Sequence, residues 1–196
     1  MIKRIAAFSL IEILIVVVVI GVLATLAVPK LIRKSPETSW EYVVDELNNL
    51  VYFARQEAIS KQKNHRIVFF VGEKESSAHV EIGEENPENT SETIFKPAYS
   101  YYYNPKYIFP KNISIAEVFL GKEELLKSNK NKTAYCYVIP HGLVQEILIH
   151  LTRREEDGTI SKTTLKMAPF FGRFDLYKGF SKPQKKRYWI MSNKKE

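Results

Sequence analysis

The chain of 196 residues has one cysteine, Cys136. A lone cysteine excludes an intramolecular disulfide. Its place in the apolar run "AYCYVI" predicts a packed strand residue rather than a nucleophile. Catalytic signatures are missing as well: there is no nucleophile elbow, no zincin helix and no phosphate-binding loop. His65, His79, His141 and His150 keep no ligand spacing to one another or to Cys136, so neither a metal nor a cofactor is expected, and no catalytic residue is assigned. No internal repeat of roughly 20–50 residues is visible. Neither sign of charge dominates: 29 Lys and Arg against 22 Asp and Glu leave a net +7. Such an excess suits a soluble surface, an anionic membrane face or a weak nucleic-acid contact, and selects none of them. What is abundant is aromatic, with 11 Tyr and 11 Phe, enough for a real core. The length suits a membrane anchor plus one globular domain.

The N-terminus is the most informative stretch. "MIKRIAA" is short and basic at Lys3 and Arg4. From Phe8 to Pro29 the chain reads "FSLIEILIVVVVIGVLATLAVP", apolar but for Glu12. At about 1.5 Å per residue a helix of this length nearly crosses a hydrocarbon core of roughly 30 Å. Lys3 and Arg4 favour a cytoplasmic N-terminus, while Lys30, Arg33 and Lys34 oppose it, so charge alone does not orient the span. A cleaved secretory signal would be shorter, free of acid and followed by a better site than "TLA". A plain bitopic anchor accounts for the length but not for Glu12, because a carboxylate at a helix centre costs about 2.5–3.5 kcal/mol on insertion.

The residues Ala7-Phe8-Ser9-Leu10-Ile11-Glu12, followed by the apolar run and Pro29, resemble the class III leader of type IV pilins and pseudopilins. The resemblance implies a leader at 1–7, a cut between Ala7 and Phe8 by a prepilin peptidase on the cytoplasmic side, and N-methylation of Phe8 by the same enzyme. The family usually has Gly before the cut; Ala7 stands there here and is also small. The resemblance assigns filament assembly to Glu12 and a helix kink to Pro29, whose missing amide hydrogen suits that role. A coherent physical account follows. The new amine on Phe8 stays cationic, and Glu12 of an incoming subunit neutralises it in a low-dielectric setting where each charge alone is costly.

Beyond Pro29, Ser35 is expected to cap a second helix with Pro36 as its first residue. Trp40, Val43, Val44, Leu47, Leu50, Val51, Ala54 and Ala58 recur at helical spacing, opposite Glu41, Asp45, Asn48, Asn49, Arg55 and Lys61. The helix is predicted to end near Lys63-Asn64. "ARQEAI", Ala54 to Ile59, together with the strand-like "HRIVFFV" that follows, resembles the GspH/FimT branch of the pseudopilins. Thereafter the period becomes two. Strands are predicted over Arg66–Val71, His79–Ile82, Tyr99–Tyr103, Ile113–Phe119, Ala134–Ile139, Gln145–Arg153, Thr159–Met167 and Arg173–Tyr177. Asp157-Gly158 marks a hairpin turn. Gly72–Glu92 reads as a loop around one short strand, and Gly121–Thr133 as a loop with one helical turn.

The expected fold is α+β and pilin-like: a long N-terminal helix, membrane-embedded below and amphipathic above, packed on an antiparallel β-sheet domain. The expected segments are 1–7 leader, 8–29 membrane and assembly helix, 30–64 amphipathic stalk, 65–181 periplasmic β-rich domain and 182–196 basic tail. "YSYYYNPKYIFP", Tyr99 to Pro110, suits half-buried strands or a recognition surface. In the tail, Lys185, Lys186 and Arg187 precede Tyr188 and Trp189, a pattern able to contact nucleic acid. The function implied by the resemblance is a minor pseudopilin of a type II secretion system, held in the bacterial inner membrane. Its partners would be the prepilin peptidase, other pseudopilins or pilins, and the secretion system's inner-membrane platform. The alternative is a FimT-like minor pilin of a type IV pilus that touches DNA through the tail. A bitopic membrane protein without a filament is the third reading.

Overall fold

The computed structural model describes residues 10–32, 39–72, 75–89, 92–129 and 131–182, with side chains in the first helix as far as Leu23. Two compact units result, 1–36 and 37–196. The first contains helix α1, Leu10–Ile32. Its β-branched Val and Ile are modest helix formers in water, but they leave no polar side chain to compete with the backbone ladder. α1 passes through Pro29 instead of stopping there. Among the described residues no helix is long and apolar enough to cross a membrane.

The second unit opens with helix α2, Trp40–Lys61. Its N-cap is Ser39, whose hydroxyl accepts from the Tyr42 amide at 3.0 Å. The cap expected at Ser35 lies outside the described residues, and the helix starts one turn later than the sequence suggested. The physical reason is that Ser39 satisfies an orphan amide at the point where the apolar stripe begins. The stripe is buried as its spacing predicted: Val43, Leu47, Leu50, Val51, Ala54 and Ala58 are all within 1% of full burial. Each large member contributes about 1.5–3 kcal/mol on removal from water. The helix ends at Gln62, held in the left-handed region at φ 53°.

Two antiparallel sheets follow. The first has β1 (His65–Val71), β2 (Ser76–Glu85), β3 (Thr93–Pro97), β4 (Lys106–Ile108) and a later strand, β7 (Thr133–Val138). Its order is β3-β2-β1-β7, with β4 also paired to β2. The second has β5 (Ile113–Leu120), β6 (Glu123–Glu124), β8 (Leu148–Arg154), β9 (Ile160–Ala168) and β10 (Arg173–Lys178), in the order β10-β9-β8-β5-β6. A single helical turn, α3 (Leu125–Ser128), leads into β7. Helix α2 packs against β1, β2, β4, β7 and β10, so it touches strands of both sheets. Phe69 of β1 meets Phe174 of β10 edge-on at 6.4 Å and ties the two sheets together beneath it. The fold is α+β with antiparallel sheets, as the sequence led one to expect.

Three local expectations are corrected. The one short strand expected within Gly72–Glu92 is instead long, because β2 spans ten residues; Ser76, Ser77, Ala78 and Val80 are buried there despite the polar composition. The strand expected from Gln145 begins at Leu148. Tyr99–Tyr103 is not a strand. The chain leaves the sheet at Ala98, whose amide donates to the Val80 carbonyl at 2.8 Å, and returns at Pro105, whose carbonyl accepts from the Val80 amide at 3.0 Å. Both ends of the excursion thus hang on one residue of β2, and Tyr99, Tyr101 and Tyr102 between them are exposed on a loop. Asp157-Gly158 turns the β8–β9 hairpin as expected, with Gly158 at φ 81°.

Candidate functional site

Glu12 lies in the first turn of α1 and is exposed. The partial positive charge of a helix N-terminus favours an acid there. Around it the described side chains are apolar: Leu10, Ile11 and each Ile, Val and Leu to Leu23 remain half exposed or more. A helix apolar on all sides needs an apolar surrounding, and a carboxylate on such a rod needs a cation. Pro29 falls within α1. Ala7, Phe8, Lys185, Lys186 and Arg187 lie outside the described residues.

Within the second unit the buried titratable groups fall into distinct settings. Cys136 is fully buried in β7, and burial pushes its thiol up to about 12. Its Sγ lies 3.5 Å from the Gln145 carbonyl. The thiol is therefore inert, as its apolar neighbours in sequence predicted. His65 is fully buried under α2; its Nδ1 lies 2.9 Å from the Lys63 carbonyl and its Nε2 has no partner. His150 of β8 is buried on the opposite face of the second sheet, 2.8 Å from Glu117 of β5. A Glu–His pair invites comparison with a hydrolytic dyad, but Nε2 faces the backbone carbonyl of Ser181 at 3.0 Å, not a hydroxyl or thiol. Among the described residues no hydroxyl or thiol is in contact with this pair. Among the described residues no group of three or more His, Cys, Asp or Glu could hold a metal ion.

The tyrosine stretch is divided by the fold. Tyr103 packs against Phe53 of α2 at 5.3 Å, and burial, reinforced by Glu46, pushes its phenol up to about 12. Tyr107 and Phe109 are core residues in edge contact at 5.0 Å. Tyr99, Tyr101 and Tyr102 face solvent, Tyr102 fully. The stretch is thus divided between packing at Tyr103, Tyr107 and Phe109 and exposure at Tyr99, Tyr101 and Tyr102.

Residues 2–28 match the family model described as the prokaryotic N-terminal methylation motif. The chain begins with a prepilin-type methylation motif. No curated protein matches it. Two solved structures of the minor pseudopilin EpsH from the Type 2 Secretion System of Vibrio cholerae are similar to it. One is 9% identical, with a TM-score of 0.45 over 70% of this chain and 95% of that one. The other is 13% identical, with a TM-score of 0.38 over 65% and 96% respectively.

Two polar residues of α2 have structural roles that periodicity did not reveal. Asn48 accepts from the Phe174 amide at 2.7 Å and donates to the Phe174 carbonyl at 3.4 Å, so it extends the β10 edge. Arg55 donates through Nε to the Gly142 carbonyl at 2.8 Å and through a terminal nitrogen to the Phe171 carbonyl at 2.7 Å. One guanidinium fork thereby docks two turns on α2. Gly172 suits the place beside it: its φ of +59° lies in the left-handed region, and a Cβ there would press on the Arg55 side chain. The placement of Asn48 and Arg55 on the polar side of the stripe hid these roles, since a helical wheel cannot distinguish solvent from a backbone awaiting a donor.

Proposed function

We propose that this protein is a minor pseudopilin of a type II secretion system. In this reading a prepilin peptidase cuts between Ala7 and Phe8 and methylates the new amine. The apolar helix is held in the bacterial inner membrane and the β-rich domain stands in the periplasm. The subunit then joins other pseudopilins in a short filament on the inner-membrane platform. The methylation motif over residues 2–28 supports the processing step. The observation that carries the assembly step is Glu12, an exposed acid in the first turn of an otherwise apolar helix. Such a carboxylate is costly in a membrane until it meets a cation, and processing creates one at Phe8 of each neighbour. Pro29 lets the helix bend where the apolar run ends.

Glu12→Val tests the proposal. The variant is expected in the membrane at the wild-type level, because Val only removes a polar burden. It is expected to lose co-isolation with other pilin-type subunits. Co-isolation at the wild-type level would contradict the assigned role. The type IV pilus reading shares the same N-terminal chemistry and differs in output. It places nucleic acid against Lys185, Lys186 and Arg187, so deletion of the gene would lower DNA uptake and leave protein export intact.

A further inference from the structure

The chain that follows β10 does not leave the domain at once. Gly179, Phe180 and Ser181 lie as a strap over the outer face of the second sheet. The Gly179 amide donates to the Lys162 carbonyl at 2.9 Å. Thr164, fully buried, donates its hydroxyl to the Gly179 carbonyl at 2.7 Å and accepts from the Ser181 amide at 2.9 Å. Phe180 stacks flat on the His150 ring, 4.2 Å between centroids and 4° between planes. His150 Nε2 reaches the Ser181 carbonyl at 3.0 Å, and Nδ1 reaches Glu117 Oε2 at 2.8 Å. Without the strap His150 would be open to solvent on this face; in place, its side chain is only 5% exposed.

The proton count of this arrangement is fixed by chemistry. A backbone carbonyl can only accept, so Nε2 must carry a hydrogen. An ionised carboxylate can only accept, so Nδ1 must carry one too. A neutral imidazole has a single N–H and satisfies one contact. The fastened strap therefore needs one proton more than a neutral histidine beside an ionised glutamate provides. Stacking of Phe180 on the ring also favours the cation. The charges in contact with this site are Glu117 from β5 and Lys162 from β9, and Lys182 follows the strap in sequence. Lys162 Nζ stands 5.3 Å from the Phe180 ring centroid and opposes a second cation. On the same sheet Lys166 is engaged by Glu146, and from α3 Lys127 is paired with Glu124 and also feels the charge of Glu117.

We propose that the Glu117–His150 pair is a proton-operated fastener for the root of the C-terminal tail. With the extra proton held, both acceptors are satisfied and the strap is closed. When the proton leaves, one contact becomes an apposition of lone pairs and the strap loosens at Ser181. Bound protons favour the closed form, so closure is complete at low pH and is lost as pH rises. The fastener is independent of the pseudopilin reading and stands on the domain alone.

The test uses the full chain in detergent micelles. Amide exchange at Ser181, corrected for the intrinsic dependence of exchange on pH, is compared between about pH 5.5 and about pH 8, the interval in which histidine titrates. Protection is expected to fall about tenfold at the higher pH, the size of one charge-assisted hydrogen bond. In His150→Gln, which cannot titrate, protection is expected to be independent of pH. Nitrogen NMR of the wild-type imidazole provides a measurement that needs no variant: both ring nitrogens are expected to carry protons at the lower pH. A ring with one proton in the closed form, unchanged Ser181 protection across the interval, or an undiminished response in His150→Gln would each overturn the proposal.

Discussion

His65 shows how one residue sets a pH limit. It sits in the core at the start of β1, and burial pulls its pKa below the ordinary value of 6.5; the Lys63 carbonyl and Glu57 oppose that shift without cancelling it. The unfolded chain takes up a proton as pH falls through about 6.5, whereas the folded chain does not until lower. The unfolded state thus binds more protons in that interval, and stability falls as the medium is acidified. Urea midpoints for the wild type and His65→Leu, taken at about pH 7 and about pH 5, should show a smaller acid loss in the variant. Equal losses would mean that His65 is not the group responsible. No signal in the sequence separates His65 from His150. Each lies in an alternating strand, and only the strap over His150 and the Lys63 carbonyl beside His65 distinguish their surroundings.

At the scale of elements, α2 and β1 were legible because burial imposes their periods. Six of the stripe residues named from spacing are buried, and β1 starts one residue before its expected boundary. Tyr99–Tyr103 misled because tyrosine favours strands, while the backbone there is committed elsewhere: Val80 already serves Ala98 and Pro105. The docking of α2 on β10 was illegible, as it rests on the backbone of Phe174. Asn48 serves both the amide and the carbonyl of that residue. Asn48→Ala strands both groups and should cost about 1–3 kcal/mol in urea unfolding. Its exposed neighbour makes the control: Asn49→Ala should stay within about 0.5 kcal/mol. Similar costs for the two variants would show that the side-chain clamp does not hold β10.

For the whole molecule, the two ends of the sequence differ in how much of their chemistry they disclose. The N-terminal stretch is legible at a glance because a single acid in an apolar run is expensive and therefore informative. Glu12 needs no tertiary context to be noticed. The domain's chemistry is diffuse: several of its polar side chains are engaged by backbone atoms remote in sequence, as His150 is by Ser181 and Arg55 by Gly142 and Phe171. The central claim is that this chain is processed as a prepilin and that the product's amine meets Glu12 of a neighbour. Mass spectrometry of the N-terminus, on protein recovered from inner membranes of cells that contain prepilin peptidase, tests it most directly. The account predicts a chain that begins at Phe8 with a methylated amine; a chain that still begins at Met1 would contradict it.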